Sequence, residues 1–215
     1  MFLKFIYPCV SLLNQMKDDH TVRAYDVYAE VYDAETVDFW EGFPENIIDQ
    51  FRANLKGKRV LDLGSGPGRD AIILRNAGLE VICVDGSKKM ASMTIKNGFE
   101  TIISDIRELN VDFSLYDGVW AYSSLIHIPF NDSMNLMQRL SDKMKPGTIV
   151  LLGLIKGESN EEQRLGDSSY SRYFEMFSEN KVERLISGTG FRIIGMNTYQ
   201  PKNHVYMNYL LELKK

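Results

Sequence analysis

A buried strand that runs into three alternating glycines constrains the fold of this chain more than any other feature. Residues 60–68 read Val-Leu-Asp-Leu-Gly-Ser-Gly-Pro-Gly, and the apolar run at their start is typical of a central parallel strand. Gly64, Gly66 and Gly68 let the chain turn tightly and let bare backbone lie against a ligand. A helix is predicted over 69–76. This succession predicts an α/β sheet with a ligand site at the carboxyl end of its first strand.

The spacing of these glycines argues against a dinucleotide site. A dinucleotide fingerprint needs G-x-G-x-x-G, but the third position of that pattern, counted from Gly64, is Arg69. The strand also places a carboxylate, Asp62, just before the first glycine. Because an acid is a poor neighbour for phosphate, the pattern favours a ligand with cationic groups. The alternative is that Asp62 only braces the glycine loop.

The next predicted strand ends in another acid. Residues 81–85 read Val-Ile-Cys-Val-Asp, and the tip of the second strand is where Rossmann-like folds bind ribose hydroxyls. We therefore expect Asp85 to be a ribose ligand. The alternative is that Asp85 caps the following helix, a role that also suits Ser87.

The rest of the chain alternates strands and helices as a doubly wound sheet requires. The predicted strands are 59–63, 80–85, 101–104, 116–122, 148–155, 191–197 and 205–213. No crossover helix separates the last two strands, so we expect them to pair antiparallel. The polar stretch 156–171 predicts an irregular excursion over one edge of the sheet.

Length, charge and cysteine content limit the kinds of protein that this chain can be. The chain has 215 residues, of which 44% are hydrophobic, enough for one domain with a sizeable core. A net charge of −4 argues against general electrostatic binding of nucleic acid. The two cysteines, Cys9 and Cys83, form no disulfide framework and predict a cytoplasmic setting. No cluster of residues has metal-ligand spacing, so no metal is predicted.

The first residues are apolar but do not predict a membrane span. Pro8 interrupts residues 2–16, and no apolar stretch of about 20 residues follows. We expect an N-terminal arm over 1–20.

Taken together, the acid-x-Gly-x-Gly-x-Gly motif and the acid of the second strand resemble class I S-adenosylmethionine-dependent methyltransferases. The similarity is to the small stand-alone type of the ubiquinone/menaquinone methyltransferases, and segments 25–33, 116–121 and 144–148 add to it. The resemblance implies a doubly wound, seven-stranded, mostly parallel Rossmann-like sheet with an antiparallel last strand. It also implies a single domain whose parts are lid helices in 21–55, a cofactor half 59–130 and an acceptor-side half 131–215.

S-adenosylmethionine is the cofactor that the resemblance implies, with S-adenosylhomocysteine as product. Asp62 would lie near its ammonium group, and Asp105 would accept a hydrogen bond from the adenine amino group while Ile106 lies against the ring. Tyr25 and Tyr32 share a helical face, and one ring would cover the sulfonium or the substrate, unless this face is simply packed in the core. The full predicted cofactor set is Tyr25, Tyr32, Asp62, Gly64, Ser65, Gly66, Gly68, Asp85, Gly86, Asp105, Ile106, Ala121 and Tyr122.

Four residues are candidates for catalysis and acceptor binding. His127 follows the fourth strand, where an imidazole is placed to act as a general base or to orient an acceptor. The alternative is that His127 only caps the loop or bonds a backbone carbonyl. By the resemblance, Tyr122 would lie beside the transferred methyl group. Arg172 and Tyr173 follow the polar excursion, where a guanidinium would favour a carboxylate or phosphate, unless both are solvated loop residues.

The absence of certain motifs restricts the class of molecule that we expect as methyl acceptor. The fourth strand ends in Ala-Tyr-Ser-Ser rather than Asn-Pro-Pro-Tyr, and no Pro-Cys pair follows that strand. We therefore expect methyl transfer to an oxygen or nitrogen atom of a small molecule, by a monomer or homodimer without nucleic-acid partners. The alternatives are a nicotinamide-dependent oxidoreductase and a non-catalytic protein that binds S-adenosylmethionine.

Overall fold

The computed structural model describes residues 20–41, 43–164, 169–201 and 203–214. The strands in this part of the chain are β1 (Arg59–Leu63), β2 (Glu80–Asp85), β3 (Glu100–Ile103), β4 (Gly118–Tyr122), β5 (Ile149–Ile155), β6 (Glu161–Arg164), β7 (Ser171–Phe174), β8 (Phe191–Tyr199) and β9 (Tyr206–Leu213). The helices are α1 (His20–Glu35), α2 (Val37–Glu41), α3 (Glu45–Asn54), α4 (Arg69–Asn76), α5 (Lys88–Lys96), α6 (Phe130–Lys143) and α7 (Glu179–Ile186).

Seven of these strands form one sheet in the order β3-β2-β1-β4-β5-β9-β8. The pairs of β1 with β2 and β4, of β2 with β3 and of β4 with β5 are parallel. β9 runs antiparallel between β5 and β8. The predicted seven-stranded, mostly parallel sheet with a reversed last strand is therefore confirmed.

Successive side chains of each strand point to opposite faces of the sheet, so the core is divided between the two faces. On β1, Val60 belongs to one buried cluster, whereas Leu61 and Leu63 belong to the other. The cluster that contains Val60 is covered by α3 and α4, and the other is covered by α6 and α7. Both faces are thus buried, which explains why the central strands are almost continuously apolar.

Helix α1 lies close to the edge at which β1, β2 and β4 end. It packs against α5 and β7, and its Asp26 carboxylate accepts hydrogen bonds from the Ser87 hydroxyl and the Lys89 amide at 2.7 and 3.1 Å. The helix is kinked at Tyr28 (φ −112°, ψ 19°). These contacts hold α1 beside the loops that follow the parallel strands.

The polar excursion differs from its prediction. Instead of an irregular loop, residues 161–164 and 171–174 form the antiparallel hairpin β6–β7. β7 alternates in environment, because Phe174 is buried whereas Arg172 and Tyr173 are partly exposed. Because the segment is polar, its sequence does not show the alternation of apolar and polar residues that predicts a strand.

The structure bears on the expected absence of a membrane span but not on the expected N-terminal arm. The expected arm over 1–20 lies, apart from His20, outside the described residues. Within the described ranges, every helix is too short or too polar to cross a bilayer.

Candidate active site

A cavity of about 400 Å³ opens where β1, β2 and β4 end, a volume that suits a small-molecule ligand. We call its first part the glycine-loop half, lined by Gly64, Ser65, Gly66, Pro67, Asp70, Asp85, Gly86, Asp105 and Ile106. We call its second part the His127 half, lined by Tyr25, Tyr32, Tyr122, Ser124, His127, Arg172, Phe174 and Tyr206.

The three glycines of the loop have positive φ angles of 70°, 53° and 88°, but they serve different purposes. A Cβ on Gly64 would lie 2.5 Å from the Cβ of Ser124, and one on Gly68 would lie 2.8 Å from Cγ2 of Thr94. Among the described residues, nothing lies within 4 Å of the corresponding point on Gly66. Gly64 and Gly68 therefore permit close packing, and Gly66 leaves space open to the cavity.

Asp85 connects the glycine loop to the start of α5. Its Oδ2 accepts a hydrogen bond from the Gly66 amide and its Oδ1 accepts one from the Ser87 amide, both at 2.8 Å. Ser87 itself caps α5 by accepting from the Met90 amide. Each carboxylate oxygen has a second lone pair, so Asp85 can still accept hydrogen bonds from a ligand in the cavity.

Asp62 and Asp70 are two further buried carboxylates in this region. Asp62 is 1% exposed, and its Oδ2 has no hydrogen-bond partner among the described residues. Asp70 Oδ2 accepts from the Trp120 indole N–H at 2.7 Å, but its Oδ1 likewise has no described partner. Neither these two acids nor Asp85 forms an ion pair within the described ranges. A cationic ligand group near them would be stabilised.

The buried acids have raised pKa values. Burial, with smaller contributions from Asp70 and Asp85, raises the pKa of Asp62 well above its usual range. Burial raises the pKa of Asp70 to about 7, although the Trp120 hydrogen bond opposes the increase. Burial also raises the pKa of Asp85 to about 6, against the two amide hydrogen bonds. The region thus contains acids that are costly to ionise without a counterion.

Asp105 and Ile106 lie at the rim of the glycine-loop half. Asp105 Oδ1 accepts from the Arg107 backbone amide at 2.8 Å, and both carboxylate oxygens accept from the Arg107 guanidinium. Ile106 is nearly buried at 7% exposure. A ligand amino group would therefore share the Asp105 carboxylate with Arg107.

His127 and Tyr25 form a hydrogen-bonded pair in the His127 half. The Nδ1 atom of His127 lies 2.8 Å from the Tyr173 carbonyl oxygen, which can only accept, so Nδ1 carries a proton. In the neutral ring Nε2 is then an acceptor, and it lies 2.8 Å from the Tyr25 hydroxyl. Burial raises the pKa of Tyr25, partly offset by Arg172, so the phenol stays protonated and donates to His127.

Successive side chains of β7 point in opposite directions, so Arg172 and Tyr173 face different surroundings. Arg172 and Phe174 line the cavity, whereas Tyr173 does not. The Tyr173 hydroxyl instead donates to the buried Glu175 carboxylate and accepts from Asn160. The contribution of Tyr173 to the site is its backbone carbonyl, which orients His127.

Tyr122 belongs to an aromatic cluster on the wall of the cavity. Its ring stacks on Tyr206 at 5.7 Å between centroids and makes an edge contact with Phe43 at 5.0 Å. The side chain is 4% exposed, and burial strongly raises the pKa of its hydroxyl. Tyr122 is therefore a neutral wall residue at physiological pH.

Most residues predicted from the sequence meet at the cavity, but four of them do not line it. These four are Asp62, Gly68, Ala121 and Tyr173. Asp62 lies two residues after Val60 and shares its face of β1, which α4 covers. Ala121 belongs to the core on the opposite face, and Gly68 packs against Thr94.

Sequence reasoning missed several lining residues. They include Thr21, Val22, Phe39, Asp70, Ser124 and Tyr206. Asp70 had a weak signal as an acid in the first turn after the glycine loop. The aromatic residues carried no local signal, because Phe39 and Tyr206 meet only through the tertiary fold, with ring centroids 5.3 Å apart.

Comparisons with known proteins agree on one family. The family model described as a methyltransferase domain matches residues 38–195. Two curated relatives are a glycine/sarcosine N-methyltransferase of Halorhodospira halochloris and the O-methyltransferase rstn1 of Aspergillus nomiae. The first is 28% identical over 73% of this chain, which spans 65% of that relative's length. The second is 22% identical over 95% of this chain and 99% of its own length.

A solved structure shows the same fold. The DhpI complex with S-adenosylhomocysteine superposes with a TM-score of 0.73 at 20% identity, and the alignment covers 91% of this chain and 96% of DhpI. At this identity the likeness concerns the fold.

Proposed function

This chain belongs to the methyltransferase domain family, and we propose that it transfers a methyl group from S-adenosylmethionine to an oxygen or nitrogen atom of a small-molecule acceptor. The observation that carries this proposal is the joining of two unlike halves in one cavity. One half contains the glycine loop and Asp85, and the other contains the Tyr25–His127 pair. A cofactor and an acceptor bound in these halves would face each other.

The residues of the glycine-loop half suit S-adenosylmethionine. Gly66 leaves space where a side chain would intrude, and Asp85 has lone pairs left for the two ribose hydroxyls. Asp70, which lines the cavity and whose Oδ1 has no hydrogen-bond partner among the described residues, suits a ligand that carries positive charge. Bound there, S-adenosylmethionine supplies a methyl group already activated by a sulfonium, so the protein need only align the acceptor, exclude water and remove a proton.

We assign proton removal to His127. Its Nδ1–H donates to the Tyr173 carbonyl, which leaves the Nε2 lone pair directed at Tyr25. When the acceptor loses its proton, Tyr25 can pass its own phenolic proton to Nε2 and take the acceptor's proton in return. Such positioned acid–base catalysis contributes roughly 10²- to 10⁴-fold to a rate.

We also propose a cytoplasmic protein that acts as a monomer or homodimer. The buried free thiol of Cys83 supports the reducing compartment.

The proposal is tested by incubating the protein with S-adenosylmethionine and a panel of small hydroxylated and aminated molecules, and detecting the methylated product by mass spectrometry. Wild-type protein should methylate at least one class. Tyr25→Phe and His127→Ala should lose turnover by about 10²-fold or more while binding S-adenosylhomocysteine normally. Tyr28→Phe, on the same helix but outside the cavity lining, is the matched control.

Binding without any product across the panel would instead support the non-catalytic protein that the sequence left as an alternative. Loss of S-adenosylhomocysteine binding in Tyr25→Phe or His127→Ala would assign those residues to the fold of the cavity rather than to proton transfer.

A further inference from the structure

We propose that the methyl acceptor is an anion, with a carboxylate or phosphoryl group bound by Arg172 next to the Tyr25–His127 pair. This inference builds on the proposed function and names the class of acceptor. It concerns a guanidinium that the sequence offered as a candidate acceptor ligand and that lines the cavity.

Arg172 differs from the other arginines that line the cavity. Arg69 is paired with Asp33, with nitrogen–oxygen distances of 2.7 and 2.8 Å, and Arg107 is paired with Asp105. Among the residues that the structure describes, Arg172 has no carboxylate within 4 Å. The positive charge on this wall is therefore not neutralised by the described part of the protein.

The surroundings of Arg172 make an uncompensated charge costly. Its guanidinium carbon lies 5.1 Å from the centre of the Phe174 ring and 5.7 Å from that of Tyr25. Its Nε atom is buried and has no hydrogen-bond partner in the described chain, and its Nη1 lies 3.5 Å from the Tyr25 hydroxyl, at the limit for a hydrogen bond. Arginine cannot lose its proton to relieve this cost, so an anionic ligand is the natural compensation.

The chemistry of the guanidinium selects the ligand. Its planar fork matches the two oxygens of a carboxylate or phosphoryl group. Flanking rings hold it in a partly dry environment, where such a pair is stronger than in water. The unpaired acids that line the cavity, Asp70 and Asp85, lie in the glycine-loop half, so the Arg172 wall is the part of the cavity that attracts an anion.

The same residues place the acceptor for reaction. The Tyr25 hydroxyl lies within 3.5 Å of Arg172 Nη1 and 2.8 Å from His127 Nε2. An acceptor anchored by its anionic group would thus present a nearby hydroxyl or amine to the pair. Its oxygen or nitrogen forms the new bond to the methyl carbon, the carbon–sulfur bond breaks with its electrons passing to sulfur, and the acceptor's proton passes through Tyr25 to His127.

The test compares matched anionic and neutral probes. The protein, saturated with S-adenosylhomocysteine, is titrated with benzoate, phenylphosphonate and neutral benzamide while the arginine Nε–H signals are followed by NMR. We expect benzoate or phenylphosphonate to shift the Arg172 signal saturably and to bind about tenfold or more tightly than benzamide. Comparison of the two anions distinguishes a carboxylate from a phosphoryl site.

Two variants complete the test. In Arg172→Gln the preference for the anion should disappear while affinity for S-adenosylhomocysteine is unchanged, which also shows that the variant is folded. Arg164→Gln alters an exposed arginine on the paired strand β6 and should keep the preference. Equal binding of acid and amide, a preference that survives in Arg172→Gln, or no saturable binding of either anion would overturn the inference. Failure of wild-type protein to bind S-adenosylhomocysteine would instead count against the proposed function.

Discussion

At the scale of single residues, Asp85 has a structural role beside its proposed role in ligand binding. Its two oxygens accept amide hydrogen bonds from Gly66 and Ser87 and so fix the glycine loop relative to α5. Each oxygen has a second lone pair, and Asp85 lines the cavity. The alternative that Asp85 caps the following helix is wrong, because Ser87 is the residue that caps α5. The binding of ribose by Asp85 stays a prediction.

The raised pKa of Asp85 predicts how cofactor affinity depends on pH. The carboxyl pKa is about 6 because the group is buried. Ribose hydroxyls donate to the ionised form, so binding favours loss of the proton, and affinity must rise as pH rises through the pKa. We expect affinity for S-adenosylhomocysteine to be constant above about pH 7 and to fall below about pH 6.

Calorimetric titrations at several pH values measure this dependence. Asp85→Asn should bind more weakly and show a flat profile over the same window. Asp70, whose pKa is raised to about 7, is the competing titratable group, and Asp70→Asn should retain the fall near pH 6. An Asp85→Asn profile with the wild-type slope would exclude Asp85 as the group responsible.

At the scale of elements, the loop between β1 and α4 both packs against neighbouring segments and lines the cavity. The sequence motif suggests one purpose for all three glycines, but only Gly64 and Gly66 line the cavity. Gly68 allows the start of α4 to approach α5 at Thr94. Thr94 is fully buried and hydrogen-bonded to the Ala91 carbonyl and the Thr101 hydroxyl, so it has little freedom to move.

Alanine substitutions should separate these roles. Gly68→Ala combines a positive φ of 88° with a contact at 2.8 Å, and we expect it to lower the free energy of unfolding by about 2 to 4 kcal/mol. Gly78→Ala, with a similar φ of 86° and open space around it, should cost only about 1 kcal/mol. Gly66→Ala should fold but weaken S-adenosylhomocysteine binding by about tenfold or more.

Chemical denaturation and calorimetry provide both readouts. Stability losses of equal size in Gly68→Ala and Gly78→Ala would contradict the packing role of Gly68. Undiminished ligand affinity in Gly66→Ala would remove that residue from the cofactor site.

At the scale of the whole molecule, the sheet was predictable because its signals are local. The observed topology follows from three local features of the sequence. Apolar strands end in glycine or an acid, helices are closed by glycine, and no helix lies between the last two strands. The approach of Asp85, His127 and the glycine loop to one cavity also followed from the sequence, since parallel strands end at a common edge.

The remaining features depend on contacts between distant segments. The separation of Arg172 from Tyr173 follows from the β7 hairpin, whose polar sequence carries no strand periodicity. The partnership of Tyr25 with His127 joins residues 102 positions apart. Asp62 is buried on the face of the sheet that α4 covers. The motif alone does not show which residues of β1 point to that face.

Whether this cavity binds S-adenosylmethionine is tested by calorimetric titration of the purified protein with S-adenosylhomocysteine and, separately, with NADH. We expect saturable binding of S-adenosylhomocysteine alone, weakened about tenfold to hundredfold in Asp85→Ala and unchanged in Asp49→Ala, which alters an exposed acid on α3. Binding of NADH in place of S-adenosylhomocysteine, or equal affinity in wild type and Asp85→Ala, would contradict the assignment of this cavity.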